Sequence, residues 1–273
     1  MKNFFTSIAV VCLLAFVVSS CKKEIQEPGN EVSESELADI KALGFGTQNV
    51  QKIEEGYLVE GDIILTPDDL KARPTSPDML IAQEEQYRTF KLVSPTEHPT
   101  IRVALSNTSS AHQSVFSAAL DEAIRRYNAQ SLRIKFQRVT SSPRITVVAY
   151  YEVSNTLGSA GFPDSDGDPY PQIKMNTYHY STSTSSTNTN YIATIMAHEM
   201  GHCIGFRHTD YMNRSYSCGS GGNEGQSTTG VGAVHIPGTP TGPDAASWML
   251  ACIGNGVNRN FNANDKVALA YVY

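Results

Sequence analysis

The sequence has no cluster of basic residues and, beyond its first twenty residues, no long apolar run. Its 21 lysines and arginines are outnumbered by 27 aspartates and glutamates, which gives a net charge of −6. Because proteins that bind nucleic acid need a basic surface, we expect no nucleic-acid partner. A membrane-spanning helix needs ~20 apolar residues, and no later segment reaches that length. Any attachment to a membrane must therefore depend on something other than a membrane-spanning helix later in the chain.

The first 21 residues have the composition of a targeting segment. Lys2 supplies a positive charge, residues 8–18 form a short apolar run, and Val18-Ser19-Ser20-Cys21 resembles a bacterial lipobox. This pattern predicts cleavage before Cys21 and lipidation of that cysteine. The alternative is an ordinary signal peptide with an incidental cysteine. We expect a lipid-anchored protein of the bacterial cell envelope or surface, with release from the surface as an alternative.

Cysteine is scarce. Cys203, Cys218 and Cys252 are the cysteines left once residues 1–20 are removed and Cys21 carries a lipid. Export permits a disulfide, but three cysteines leave one unpaired and the sequence does not fix the pairing. We choose Cys218–Cys252, because both lie in loop-like stretches, and expect Cys203 to be a packed thiol.

The length of 273 residues and the hydrophobic content of 40% suit one compact domain with additional segments. Residues 22–90 contain no second core large enough to fold alone, so they are predicted to be a tether and an accessory segment. The main domain is then residues 91–273. Within the accessory segment we predict a helix over 33–42, an alternating stretch over 57–65 and a loop over 66–80.

The central motif is H-E-x-x-H-x-x-G-x-x-H, at residues 198–208. Because residues four apart share one face of a helix, His198 and His202 supply two nitrogen ligands of a tetrahedral zinc site. Gly205 can adopt a positive φ and end the helix, so that the chain turns back and brings in His208 as the third ligand. The fourth position stays open for water, which distinguishes a catalytic zinc from a structural one.

Glu199 is predicted to lie beside the metal without being a ligand. It is about 100° around the helix from His198, where its carboxylate can take a proton from water. Chance would produce the five motif positions in roughly one chain of this length in 100,000. The remaining histidines are expected to have ordinary structural roles: His98, His112, His179 and His235.

The motif, together with Ser247-Trp248-Met249, resembles the metzincin clan of zinc endopeptidases, whose signature adds a distal Met-turn. Gly201 and the run Phe206-Arg207-His208-Thr209-Asp210 are most similar to the dual-action HEIGH metallopeptidases, a bacterial family. The resemblance implies an α+β fold with a twisted mixed sheet and helices above the cleft. It also implies a short irregular lower subdomain with the Met-turn and a closing C-terminal helix. Met249 would form an apolar floor beneath the histidines.

The periodicity of the main domain fits that order of elements. The zinc helix follows a loop rich in Ser, Thr and Asn, with Asn188 or Asn190 as its predicted cap. In the closing helix we expect Val267, Ala270 and Tyr271 to face inward. Strands are predicted over 101–105, 132–137, 145–153 and 173–178, and helices over 114–129 and 264–273. By resemblance, residues 158–163 are the edge strand of the cleft, where an extended substrate pairs through its main chain.

The run Val59-Glu60-Gly61-Asp62 resembles the aspartate switch of astacin prosegments, in which an aspartate takes the fourth zinc position and keeps the enzyme latent. A carboxylate oxygen at that position competes with water. Residues 22–90 are thus a candidate prosegment and Asp62 a candidate latency switch. The alternative is a strand followed by a Gly-Asp turn.

Three features limit what the resemblance transfers. Astacins have a tyrosine two residues after the Met-turn methionine, where this chain has Ala251, so no tyrosine from that position should assist catalysis. Thr209 after the third histidine matches neither the Glu of astacins nor the Asp of adamalysins. The acidic run at 164–168 has its glycine at the fourth position, whereas an EF-hand needs it at the sixth, so we prefer a solvated turn to a Ca²⁺ site.

These patterns predict a zinc-dependent endopeptidase that hydrolyses peptide bonds in extracellular proteins, with Zn²⁺ as cofactor. Glu199 would take the proton of the attacking water and pass it to the leaving amine. We expect a protein or peptide substrate and a monomeric chain. One alternative is a zinc amidase acting on cell-wall peptides. Another is a surface lipoprotein that binds peptide or glycan with a non-catalytic zinc, although such a zinc has no use for Glu199.

Overall fold

The computed structural model describes residues 31–71, 86–106, 111–223, 230–240 and 242–273. The helices are α1 Glu34–Ala42, α2 Pro67–Lys71, α3 Gln113–Asn128, α4 Ser186–Cys203, α5 Ser215–Cys218 and α6 Ala263–Val272. The strands are β1 Gln51–Ile53, β2 Gly56–Val59, β3 Ile63–Leu65, β4 Tyr87–Arg88, β5 Thr100–Leu105, β6 Lys135–Arg138, β7 Ile145–Tyr150, β8 Gly158–Ala160, β9 Gln172–Asn176, β10 Phe206–Arg207 and β11 Val234–His235.

A mixed sheet of eight strands dominates the molecule, in the order β1-β2-β3-β8-β9-β7-β5-β6. Strands β6, β5, β7 and β9 are parallel, and β8 runs antiparallel to β9. Helices α3 and α4 pack against each other and against this sheet, and they enclose the main core with residues such as Val103, Phe116 and Ile192. The predicted α+β architecture is confirmed.

The accessory segment is continuous with the main sheet. The stretch predicted to alternate over 57–65 is a hairpin, because Glu60 and Gly61 take φ angles of 58° and 92° between β2 and β3. Strand β3 then pairs in parallel with β8, with Ile63 opposite Ala160. The prediction that β8 is a sheet edge is therefore wrong for the full chain, since β3 covers that edge.

The loop predicted over 66–80 is wrong over its described part, residues 66–71. Helix α2 forms there because Pro67 stands at its first position and Thr66 and Asp69 bond reciprocally. The main-chain N–H of Thr66 donates to the Asp69 carboxylate at 3.0 Å, and the N–H of Asp69 donates to the Thr66 hydroxyl at 3.2 Å. Residues 72–80 lie outside the described residues.

The domain boundary predicted near Lys91 falls just after a strand that belongs to the C-terminal half. Strand β4 is the middle of a small sheet and pairs antiparallel with both β10 and β11. Gln86 and Tyr87 are fully buried there. Residues from Gln86 onward are therefore built into the main domain.

Helix α4 begins earlier than predicted, and its predicted cap is wrong. Ser185 is the N-cap, and its side chain accepts from the main-chain N–H of Asn188. The side-chain amide of Asn188 instead donates to the carbonyls of Ser181 and Ser183 in the preceding loop. The long stretch rich in hydroxyl and amide side chains offered several caps, and the earlier one is used.

The inward face predicted for α6 is also wrong. Val267 and Tyr271 are 43% and 51% exposed, whereas Leu269 is fully buried. The phase of the helix is set by Asp265, whose carboxylate points inward and places Leu269 on the same face four residues later. No helix in the described part of the chain has the length and apolar character that crossing a membrane requires.

Candidate metal centre

Helix α4 presents His198 and His202 on one face, and main-chain carbonyls fix both rings. Nδ1 of His198 donates to the carbonyl of Trp248 and Nδ1 of His202 donates to that of Phe206, each at 2.8 Å. Because a carbonyl can only accept, Nδ1 carries the proton in both rings and Nε2 keeps its lone pair. The two Nε2 atoms face each other at 3.1 Å.

The turn after α4 brings His208 beside these two rings. Gly205 has a φ of 105°, and a Cβ at this position would lie 2.6 Å from the carbonyl oxygen of Lys91. Both the conformation and the space therefore require glycine. The ring of His208 lies 5.3 Å from that of His198 and 4.9 Å from that of His202, centroid to centroid. The turn predicted at Gly205 is confirmed.

The predicted Met-turn, Ser247-Trp248-Met249, lies directly against α4. A Cβ on Gly201 would be 2.5 Å from the Met249 sulfur, so this glycine permits the close approach. The Met249 carbonyl accepts from the N–H of Thr209 at 2.9 Å, next to His208, while the Trp248 carbonyl holds His198. Met249 is fully buried. The turn thus orients the histidines from below.

Asp62 reaches the same point from the accessory segment. Its Oδ2 lies 3.1 Å from Nε2 of His208 and 3.5 Å from Nε2 of His198. Its main-chain carbonyl accepts from the N–H of Ala160 in β8 at 3.0 Å. Burial alone would raise the pKa of Asp62, but the two histidines and Arg214 outweigh burial and hold that pKa well below its usual value.

The four side chains fit a zinc ion. One ligand atom each from Asp62, His198, His202 and His208 lies within 4.8 Å of the others, and the described residues contain no other such group. Facing Nε2 lone pairs repel unless a cation lies between them. Burial, followed by the neighbouring histidines, lowers the pKa of His202 well below its usual value, so this ring favours the neutral form that binds a metal. Three imidazoles and a carboxylate are donors that zinc prefers.

Glu199 lies beside the metal group and faces β8. A Cβ on Gly158 would be 2.9 Å from its Oε1, so the glycine leaves room for the carboxylate. Glu199 is 2% exposed, and its Oε2 has no hydrogen-bond partner within the described ranges. Burial raises the pKa of Glu199 well above its usual value, and the charge of Asp62 raises it further against an opposing effect of His208. This carboxylate can exchange a proton with a group at the metal.

A buried acid that the sequence reasoning missed supports the Met-turn. Oδ1 of Asp265 accepts from the Ser247 hydroxyl at 2.8 Å and from the Gln86 amide at 2.9 Å, and Oδ2 accepts from the Trp248 N–H at 3.2 Å. Burial raises the pKa of Asp265 to about 6, although hydrogen bonds to it act in the opposite direction. The sequence signal was the spacing from Asn262 to Asp265, which forms a capping box in α6.

Arg207, between the second and third histidines, was also missed. It is fully buried, and its guanidinium carbon lies 4.0 Å from the ring centroid of Phe45. Its Nη1 donates to the Val231 carbonyl at 2.7 Å, and its Nη2 lies 3.8 Å from Oε2 of Glu60. Phe45 and Glu60 belong to the accessory segment. That segment therefore contacts the short strand that leads into His208.

The predicted cysteine pair, the acidic run and the four other histidines are not part of the metal group. Cys218 and Cys252 form the predicted disulfide, and Cys203 is a buried thiol. In the acidic run, Oδ1 of Asp164 accepts from two main-chain N–H groups of its own turn. The four other histidines contact partners away from the metal group: His98 with Asp168, His112 with Tyr180, His179 with Ser154, and His235 with Thr239. Cys21 lies outside the described residues.

A cavity of about 1170 Å³ opens beside the metal group. Its lining includes Asp62, His198 and Glu199 of the site. It also includes residues 154–158, which reach the start of β8, and residues 250–253, which follow the Met-turn. The metal group therefore faces a space large enough for several residues of an extended peptide.

Comparison with known proteins identifies a family. A family model described as the dual-action HEIGH metallo-peptidase matches residues 57–273, a range that includes Asp62 and the whole histidine motif. One solved structure of myroilysin is 20% identical, with a TM-score of 0.44, covering 68% of this chain and 98% of that one. Another is 18% identical, with a TM-score of 0.40, covering 78% and 98%. None of the curated proteins matches this chain.

Proposed function

Because the chain belongs to the dual-action HEIGH metallopeptidase family and is a zinc metallopeptidase, we propose that it is an endopeptidase acting on extracellular proteins, with Glu199 as general base. One observation carries this proposal. The buried Glu199 carboxylate lies beside the converging histidines and is not among the four residues whose ligand atoms converge. A site that only holds zinc has no use for such a carboxylate.

Each residue of the site has its own role in the proposed mechanism. His198, His202 and His208 would hold the zinc, which when bound lowers the pKa of a water molecule toward ~7 and polarises a peptide carbonyl. Glu199 takes a proton from the attacking water at its carboxylate and passes it to the leaving amine nitrogen. Strand β8 offers main-chain groups to an extended peptide, a form of pairing that tolerates many sequences.

We also propose that the accessory segment keeps the chain latent. Two features of the segment support this: Asp62 Oδ2 lies within 3.5 Å of two of the histidines, and β3 pairs with β8. In this proposal the segment supplies a fourth ligand atom to the metal group, where water would otherwise bind, and pairs with the strand that an extended substrate would use. Activation would require a cut in the chain before β4 and departure of the segment.

The proposed activity predicts zinc-dependent cleavage of an unfolded protein substrate. The protein should bind about one zinc per chain and cleave casein, and a chelator should abolish cleavage until zinc is restored. His202→Ala should lose both zinc and activity. Loss of a ligand should lower zinc affinity and activity by more than the ~10- to 100-fold decrease that follows when a ligand loses its hydrogen-bond partner. Metal analysis and a casein assay measure the two effects.

Two results would contradict this expectation. Full zinc occupancy in His202→Ala would mean that the metal is held elsewhere. Cleavage of peptidoglycan fragments without cleavage of casein would favour an amidase of cell-wall peptides. If the wild-type chain is latent, the assay is run on protein freed from latency by Asp62→Ala.

For localisation, we propose that a lipid on Cys21 anchors the mature protein to the bacterial envelope. Residues 18–21 resemble a lipobox, and one or two acyl chains provide the membrane affinity of such an anchor. Cys21→Ser should release the protein from the membrane fraction or block its maturation. Cys12→Ser is the matched control, since Cys12 lies in the segment that would be removed. Unchanged membrane association of Cys21→Ser in cell fractionation would refute the lipid anchor.

A further inference from the structure

Part of the lining of the cavity beside the metal group does not belong to the accessory segment. This part includes Thr194 and Ile195, which lie about one turn before His198 on α4, and residues 250–253, directly after the Met-turn. A peptide whose carbonyl is bound at the metal would therefore have neighbouring side chains in this cavity.

Two arginines line this cavity, and both have contacts with the residues of a disulfide. The main-chain N–H of Arg259 donates to the Thr194 hydroxyl at 3.1 Å, and its Nη1 donates to the Cys252 carbonyl at 3.2 Å. Nη2 of Arg214 lies 3.5 Å from the sulfur of Cys218, which forms the disulfide with Cys252. Both guanidinium groups thus lie beside the residues of the Cys218–Cys252 disulfide.

Arginine dominates the charged residues that the main domain contributes to the cavity lining. Among the described residues, six acidic or basic side chains other than histidine line the cavity: Lys41, Glu60, Asp62, Glu199, Arg214 and Arg259. The first three belong to the accessory segment. Glu199 lies beside the metal group and is the proposed general base. The remaining lining charges are the two arginines.

The surroundings of both arginines favour a bound anion. Arg259 is partly buried, and burial lowers its pKa, which means that its charge is poorly solvated where it lies. The three aspartates that raise this pKa act from outside the cavity lining: Asp210, Asp244 and Asp265. Arg214 is also partly buried and lines the same cavity, with its guanidinium beside the sulfur of Cys218.

We propose that Arg259 and Arg214 bind a carboxylate side chain in this cavity, so that the enzyme prefers substrates with Asp or Glu close to the cleaved bond. The inference rests on the proposed endopeptidase activity and names its substrate class. A charge-assisted hydrogen bond from a guanidinium to a carboxylate is about twice as strong as a neutral one. The amide oxygen of Gln or Asn can also accept from the guanidinium, but only the acidic member of a substrate pair adds the opposite charge and forms an ion pair.

The test compares peptides that differ only in Glu against Gln, or Asp against Asn, at each position around the cleaved bond. The peptides have amidated C-termini, so that a chain-terminal carboxylate does not contribute. With zinc-loaded full-length protein, carrying Asp62→Ala where wild type is latent, the ratio of kcat/KM should favour the acidic peptide by about tenfold or more at one position. Arg259→Gln should bring this ratio toward one, mainly by raising KM for the acidic peptide. Arg259→Lys should retain part of it.

Matched controls separate recognition from structure. Arg125→Gln, on an exposed face of α3 away from the cavity, should keep the full ratio. Zinc-loaded full-length protein with Asp62→Ala and Glu199→Gln should bind the acidic peptide more tightly than its amide counterpart, with a Kd lower by a similar factor.

Equal kcat/KM for both members of every pair would overturn the inference but would not contradict the endopeptidase activity. If Arg259→Gln lowers kcat/KM equally for both peptides of a pair, the role of Arg259 is purely structural, and this result would also overturn the inference. If no peptide is cleaved at all, the endopeptidase proposal fails, and the two Kd values still decide whether Arg259 recognises a carboxylate.

Discussion

Glu199→Ala should lower kcat on peptide substrates by a factor on the order of 100 to 10,000, while the protein keeps its fold and its zinc. The metal ligands in the proposed mechanism are the three histidines, so removal of the carboxylate leaves the metal's coordination intact. What is lost is the group that takes the proton from water and returns it to the leaving amine. Glu199→Gln should show the same loss, because the amide keeps the shape but cannot accept this proton.

Rate and metal content must be measured on the same samples. Turnover of a fluorogenic peptide gives kcat, metal analysis gives zinc per chain, and thermal unfolding shows whether the fold is retained. Glu97→Gln is the matched control, since Glu97 is an exposed carboxylate outside the cavity lining. Near-normal turnover in Glu199→Gln would place the general base elsewhere. Loss of zinc would make Glu199 a ligand.

The histidine motif could be predicted from the sequence because its geometry is local. His198 and His202 are one helical turn apart, and Gly205 is the residue that permits the chain to turn back toward them. The order of strands and helices also followed from periodicity, which reports which face of an element is buried. These features need no knowledge of distant contacts.

The parts that could not be predicted depend on contacts between residues far apart in sequence. Helix α6 has apolar residues on more than one face, and its orientation is decided by Asp265 bonding to Ser247 and Gln86. An aspartate in a first helical turn indicates only a cap. The burial of Arg207 likewise depends on Phe45 and Glu60 of the accessory segment, which no local pattern reveals.

Asp62→Ala should raise the proteolytic activity of the full-length protein by about tenfold or more relative to full-length wild type. In the full chain the Asp62 carboxylate lies 3.1 Å from Nε2 of His208, and in the proposed mechanism it would compete there with the attacking water. Because the carboxylate is intramolecular, its effective concentration is on the order of millimolar, so even a weak ligand can hold the site. Alanine removes that competitor, although β3 still covers β8. The measurement is initial-rate cleavage by full-length protein, with self-cleavage followed on gels.

The control for this variant must be chosen with the structure in view. The neighbouring Glu60 points away from the metal group, since its Oε1 accepts from the Gly46 N–H at 2.9 Å and its Oε2 approaches Arg207. Removing that carboxylate would disturb the buried Arg207, so Glu60→Ala tests packing as well as latency. Asp68→Ala is cleaner, because the Asp68 side chain is 87% exposed on α2. It should leave the protein as latent as wild type.

Latency also predicts where the activating cut should fall. Gln86 and Tyr87 are buried, and β4 pairs with both β10 and β11, so a cut within or after β4 would break the small sheet. A cut between residues 82 and 86 would instead separate the accessory segment and leave β4 in place. Protein cut there and freed of the segment should match or exceed the activity of full-length Asp62→Ala, because β8 is then open as well. If full-length wild type already cleaves peptides as fast as the cut protein, the segment is a permanent part of the fold and Asp62 does not control access to the metal.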